Sequence, residues 1–443
     1  MKLSNKKIYL DYAASTPVAP EVLRAMQPYW SERFGNPGSL HSFGQEAIAA
    51  LDQSREKIAK VIGAEFREII FTSGATEANN LVLRGVVSAW KKTHQNESQT
   101  PRIIVSAIEH ESVLETARDL EKDGAEVVIL PVNKVGLINM KELEVALTPT
   151  TALVSIMYGN NEVGTIQPIK KIAELIKGYR ESKGGRVQGI GYSQKKTKDS
   201  SNDLTTKPYT PYPILHSDMA QTFCYLPASV RELGVDCATF SGHKMYSSKG
   251  VGALYVRDSQ LVTKNAKQGS RGGSGSGSAL YPSHYTLSPM LTGGGQEFGF
   301  RSGTENVPLI VGLAKAMELA EKNREKESER IKSLKQYFWK ELQKIDQKAI
   351  VNGSESGLPH ILNLALSRPL AADLLVYLDL RGVAVSTGSA CAARSPQPSH
   401  VLQVMGLSKE KISKSVRFSF GRATDKKQID TVIRLINLSL RGA

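Results

Sequence analysis

Along the first two thirds of the chain, stretches with helical spacing of apolar residues alternate with short, continuously apolar runs. "FGQEAIAALDQSREKIAKVIGA" (Phe43 to Ala64) and "ATEANNLVLRGVVSAWKK" have the helical spacing. "EIIFTSG", "RIIVSAI", "AEVVILPV", "TALVSIMY", "CATFSG" and "GVGALYVR" are β-branched runs of the kind found in strands covered on both faces. This alternation predicts an α/β fold with a mainly parallel sheet. Beyond about Leu309 the texture changes. Long charged helices such as "ESERIKSLKQYFWKELQKI" lead into "ILNLAL", "GVAVST" and "SVRFSFG", and "KKQIDTVIRLINLSL" closes the chain as a helix. The pattern therefore predicts a large α/β domain over residues 15–308 and a smaller α+β domain formed by 1–14 and 309–443. Residues 183–213 and 258–295 are rich in Gly, Ser, Lys and Pro without periodicity, and read as insertions or loops rather than linkers.

With 443 residues, 40% of them hydrophobic, the chain can bury a large core in two domains. Its three cysteines, Cys224, Cys237 and Cys391, form neither a disulfide framework nor a C-x-x-C pattern, which suits a reducing compartment. No stretch approaches the roughly 20 apolar residues of a membrane helix, and "MKLSNKKIYLDYAAST" lacks the apolar core of a signal peptide. A soluble cytoplasmic protein is the expectation. The net charge of +14 comes without a nucleic-acid-binding motif. It suits attraction of anionic ligands or acidic protein partners, with no direct nucleic-acid contact expected.

Three strand ends carry candidate chemistry. "FTSGATEANN" is a strand, a glycine turn and a helix start, a geometry that offers backbone N–H groups to phosphate or simply caps the helix. Ser73, Thr76 and the amide of Ala75 are its donors. "FSGHKMYSSKGVGALYV" sets Lys244 at the end of a buried strand, as a salt-bridged group or as an amine suited to Schiff-base chemistry. "ILHSDMAQT" ends a strand in Asp218 and Gln221; such an acid can cap a helix, bind a metal or hold a protonated ring nitrogen. Together a phosphate cradle, a strand-end acid and a strand-end lysine make up the inventory of a pyridoxal phosphate site. Cys391 stands apart in "STGSACAARSPQPSH", a polar loop that offers a thiol no core to enter.

These residues carry a resemblance. "FGNPGSLHSFG", "FTSGATEANN", "EHESVLE", "GNNEVGTIQPI", "SGHKMY", "FRSGTEN", "STGSAC" and "VRFSFGR" occur in the order seen in cysteine desulfurases of the NifS/IscS type, in the class V aminotransferase family. The similarity covers nearly all of the chain outside the two insertions. It implies a homodimer using pyridoxal 5'-phosphate. Lys244 then resembles the lysine that forms the Schiff base and shuttles protons, Asp218 the acid on the ring nitrogen, and Gln221 the partner of the ring's phenolic oxygen. His110 resembles the histidine that stacks on the ring and serves in acid–base steps. Ala75, Thr76, Ser241 and His243 match phosphate binders, and Thr304 matches one supplied by the neighbouring subunit. Asn161, also counted among the cofactor contacts, and Arg417 match the residues that hold the substrate carboxylate.

The implied reaction converts L-cysteine to L-alanine and leaves the sulfur as a persulfide on Cys391. A sulfur-acceptor protein then receives it, an iron–sulfur scaffold or a tRNA thiolation enzyme. A selenocysteine lyase or aminotransferase of the same fold shares Lys244, Asp218 and the phosphate cradle, and a noncatalytic basic interaction protein is the alternative of another class. A nucleophilic thiol favours desulfuration over the first two, and the full set of reactive residues opposes the third. Two departures from the family pattern stand near the ring: Met219 follows Asp218, and "YSSKG" replaces the usual Gly-Pro pair after the lysine motif. Met219 is expected to alter packing beside the ring, and the second change to alter the turn.

Overall fold

In the computed structural model, which describes residues 7–95, 98–182, 212–257, 287–368, 370–387 and 398–442, the apolar runs form strands close to where the sequence predicts them. The strands are β1 (Ile8–Tyr9), β2 (Ile69–Thr72), β3 (Arg102–Ser106), β4 (Glu126–Leu130), β5 (Thr151–Ser155), β6 (Ile214–Asp218), β7 (Cys237–Ser241), β8 (Gly252–Val256), β9 (Ile350–Asn352), β10 (Ile361–Ala365), β11 (Val383–Ala384) and β12 (Ser415–Ser419). Seven of them make one sheet in the order β2-β8-β7-β6-β5-β3-β4. Only β8 runs against the others, pairing antiparallel with β2 and β7. The central strands β5, β6 and β7 are buried at every residue, including the polar His216, Ser217 and Asp218 of β6.

Helices cover the sheet as the periodicity predicts. Ser42–Ile62 and Ala75–Thr93 each bury one apolar stripe, the second with Leu81, Val82, Val86 and Trp90. Part of the second predicted insertion also packs down. Leu287 is buried, and the Ser288 N–H donates to Gly85 O at 2.9 Å, where a side chain on Gly85 would strike both residues. Residues 258–286 of that stretch, and nearly all of 183–213, lie outside the described residues.

The C-terminal elements form a three-stranded antiparallel sheet, β12-β10-β9. β1 joins this region by pairing parallel with β11, Ile8 opposite Val383. A 39-residue helix, Val307–Ile345, connects the two parts. Its first half packs on the helices Pro20–Met26 and Ser42–Ile62, its second half under the small sheet, where the Phe338 ring lies 4.7 Å from that of Phe418. The change of texture at Leu309 thus falls just inside one continuous helix. No described helix is long and apolar enough to cross a membrane.

Candidate active site

The parallel strands of the large sheet end along one edge, and the turns after β2, β3, β5, β6 and β7 face a cavity of about 620 Å³. After β2, Gly74 has φ 154° and ψ −178°, a backbone region open essentially to glycine alone. The turn is backed closely by β8: a Cβ on Gly252 would lie 2.7 Å from Gly74 Cα. The helix Ala75–Thr93 therefore starts at the cavity wall. The N–H groups of its first turn have no acceptor within the helix, and its dipole presents a positive end there. Ser241 and His243, at the end of β7, line the same cavity. Burial pushes the His243 imidazole down to about 4, with Lys244 and Lys249 acting in the same direction.

Asp218 ends the neighbouring strand β6 and is 6% exposed. Its carboxylate accepts from Asn79 Nδ2 and from the Ala220 N–H, each at 2.9 Å. Asn79 Nδ2 also donates to Ser112 Oγ at 2.9 Å, and Ser112 bonds His110 Nδ1 through both its hydroxyl (2.9 Å) and its N–H (3.1 Å). His110 caps the helix Glu111–Lys122. Burial lowers its pKa more than the nearby Asp218 raises it. Next to it Glu109 is fully buried, accepting from Ser106 Oγ and the Met157 N–H; burial raises its carboxyl to about 8.

Lys244 Nζ donates to Ala13 O (2.6 Å) and Ala14 O (2.7 Å), and Gln221 Nε2 donates to Ala13 O at 2.9 Å. The other face of the Gln221 amide meets the buried His360, whose Nε2 lies 3.2 Å from Gln221 Oε1. Burial drives the His360 pKa well below its ordinary value, so the ring is neutral and its Nε2–H is the donor. Its ring stacks on Tyr225 with centroids 4.1 Å apart.

The opposite wall comes from the C-terminal elements. Arg417 on β12 is 1% exposed and pairs with Asp11 at 2.8 Å, while its second guanidinium nitrogen donates to Asn161 O at 2.9 Å. Ser386 exchanges backbone hydrogen bonds with Arg417. Ser399 donates to the buried Glu162 carboxylate at 2.5 Å, and His400 Nε2 donates to Glu109 O at 3.1 Å. Glu162 and His400 both line the cavity.

Of the residues singled out in the sequence, Ala75, Thr76, His110, Asn161, Asp218, Gln221, Ser241, His243, Lys244 and Arg417 line this one cavity. Thr304 does not. It lines an adjoining cleft of about 200 Å³ that shares Ser73, Gly250 and Val251 with the first. Cys391 lies outside the described residues. Met219 is fully buried in the core, between Asp218 and Ala220 of the cavity wall and not itself lining it. In the "YSSKG" turn, Tyr246 takes φ 64° and its hydroxyl accepts from the Arg422 N–H. Asp11, Asn79, Glu109, Ser112, Glu162 and His360 were not singled out, although the first five stand inside or beside motifs already quoted. His360, in "LPHILNLAL", had no such signal.

A strand-end lysine and a buried strand-end acid beside a helix N-terminus, on this sheet order, are the layout of a fold-type shared by aminotransferases. The sequence profile of the class-V aminotransferases matches residues 8–182 and 212–432, and the chain belongs to that family. It is 39% identical to the cysteine desulfurase IscS of Dictyoglomus turgidum over 97% of this chain and 94% of that one. It is also 39% identical to the putative cysteine desulfurase IscS 1 of Bacillus subtilis, over 97% of each chain. Among solved structures, a NifS-like protein superposes with a TM-score of 0.79 at 30% identity, covering 99% of this chain and all of that one.

Proposed function

We propose that this protein is a pyridoxal phosphate-dependent cysteine desulfurase acting as a homodimer. One observation carries the reading: Lys244 and Asp218 end adjacent strands in a single cavity, with a helix N-terminus at one side and the Arg417 guanidinium at another. The cavity fits the cofactor on its own chemistry. Ideal placement of a Cβ on Gly74 meets nothing within 4 Å, so space lies open against the helix start where a phosphate would sit. Asp218 is buried and, among the described residues, accepts from the neutral N–H donors of Asn79 and Ala220, as a carboxylate needs if it is to hold a ring N–H.

In this reading the amides of Ala75 and Thr76, with Ser241 and His243, hold the phosphate, Asp218 holds the ring nitrogen, Gln221 the phenolic oxygen and Lys244 the aldehyde carbon. Bound there, the cofactor supplies an electron sink for bonds at the substrate's α-carbon. Arg417 and Asn161 orient the carboxylate of L-cysteine. The Lys244 amine takes the α-proton and returns protons during turnover. Cys391, as thiolate, accepts the substrate's sulfur: the substrate C–S bond breaks, an S–S bond forms on Cys391, and L-alanine leaves. Ser386 and Ser399, which bracket the stretch holding Cys391, are both held beside the cavity, which supports this role. An acceptor protein then takes the persulfide sulfur. Thr304 opens toward a cleft beside the phosphate end, which supports its contributing to a second copy's site.

The test is direct. Purified protein with L-cysteine and a thiol reductant is expected to form sulfide and alanine in equal amounts, and Cys391→Ala to abolish sulfide release while retaining the yellow cofactor. Pyruvate without sulfide would instead indicate transamination.

A further inference from the structure

His110 has a neighbour set that decides how its proton is carried. Its Nδ1 lies 3.1 Å from the Ser112 N–H, which can only donate, so Nδ1 bears no proton. The Ser112 hydroxyl, 2.9 Å from the same nitrogen, must then donate as well. That hydroxyl accepts in turn from Asn79 Nδ2, whose second proton goes to Asp218 Oδ2. The amide cannot be turned over, because its oxygen would then face a carboxylate that only accepts. Asn79 is fully buried, and its Oδ1 has no hydrogen-bond partner among the described residues. An amide that leaves its own oxygen unsatisfied is oriented by what its nitrogen must reach.

We infer that Asn79 is a positioning residue that couples Asp218 to His110 through Ser112: the Ser112 N–H fixes His110 as its Nε2–H tautomer, and Asn79 turns the Ser112 hydroxyl into a second donor to Nδ1. With Nδ1 occupied by two donors, the neutral ring offers the cavity a proton rather than a lone pair. His110 therefore enters its acid–base steps as a hydrogen-bond donor. The same amide steadies Asp218 against the ring nitrogen that it holds. This inference rests on the proposed function for its consequence, but the tautomer itself does not.

The experiment is ¹⁵N NMR of the full-length, histidine-labelled protein, with and without pyridoxal phosphate, His110 being assigned by the signal lost in His110→Gln. The natural chain is expected to show an unprotonated, hydrogen-bonded Nδ1 and a protonated Nε2. Asn79→Ala is expected to move the Nδ1 signal toward that of a less strongly hydrogen-bonded nitrogen, as the Ser112 hydroxyl loses its orientation, and to weaken pyridoxal phosphate binding about 10-fold, the loss of one hydrogen bond to a charged group. Ser112→Ala, which spares the Asn79–Asp218 bond, is expected to move the Nδ1 signal the same way and keeps the test available if Asn79→Ala folds poorly. A protonated Nδ1 in the natural chain, or an unchanged Nδ1 signal in both variants, overturns the coupling. Failure to turn over L-cysteine with the tautomer as described would overturn the proposed function and leave the coupling standing.

Discussion

The two walls of the cavity are built on different principles. On the large-sheet side each group follows its own strand by a few residues: Gly74 to Thr76 after β2, His110 after β3, Asp218 at the end of β6 and Lys244 after β7. Local strand–turn–helix geometry aims them at a common edge, and burial lowers the pKa of His110 there. On the other side Arg417 depends on distant partners, pairing with Asp11 some 406 positions away and with Asn161 at 256. That wall is held by charge pairing and by the meeting of the chain's two ends. The difference separates two tasks. The large-sheet wall is suited to hold a cofactor rigidly, and in the proposed function the wall of Arg417 is the one that meets the substrate.

The comparison breaks most visibly at Lys244. Lys244→Ala is expected to remove the characteristic visible absorbance of the bound cofactor and to lower turnover about a thousandfold or more, read by spectrophotometry and alanine release. Little change in either would remove the cofactor task from the large-sheet wall. Next in size is Arg417→Lys, which keeps the charge and loses the forked donor pattern. Its KM for L-cysteine is expected to rise about 10- to 100-fold with the cofactor spectrum unchanged. Asp11→Asn should move KM the same way by only a fewfold, since it loosens the guanidinium without removing it. A change in cofactor affinity larger than the change in KM would erase the division between the walls.

The smallest effect concerns pH. The Glu109 carboxyl is raised from 4.5 to about 8 by burial, against the opposing hydrogen bonds from Ser106 and Met157. Between those values the folded protein binds a proton that the unfolded chain has released. Glu109 thus contributes stability that is fully present below about 4.5 and is lost as pH rises toward 8. Glu109→Gln, which imitates the protonated acid, should flatten this decline. Thermal unfolding at pH 5 and pH 8 is expected to show the variant gaining on the natural chain by a few degrees at the higher pH. A parallel pair of curves would mean that Glu109 ionises without penalty.

Much of the fold was legible because its signals are local. "TALVSIMY" and "CATFSG" read as strands from short, largely apolar runs, and they form β5 and β7. The docking of Leu287 was not legible, since scattered apolar residues in a stretch rich in Gly, Ser and Pro carry no period. In the site, Lys244, Asp218 and the Gly74 turn stood out because each combines a reactive or phosphate-binding type with a strand end. Asn79 and His360 did not. A buried asparagine on an apolar helix and a histidine before a strand are ordinary core residues until their partners are known.

By itself the amino-acid sequence determined the alternation of elements, the family and the set of reactive groups, because strand periodicity and turn chemistry act over a few residues. Only the tertiary structure decided which hydrogen bonds orient those groups. Asn79 reaches Asp218 across 139 positions, Glu162 reaches Ser399 across 237, and Arg417 reaches Asp11 across 406. Such bonds are directional and effective over about 3 Å, and no local pattern encodes a partner that packing alone brings within that distance.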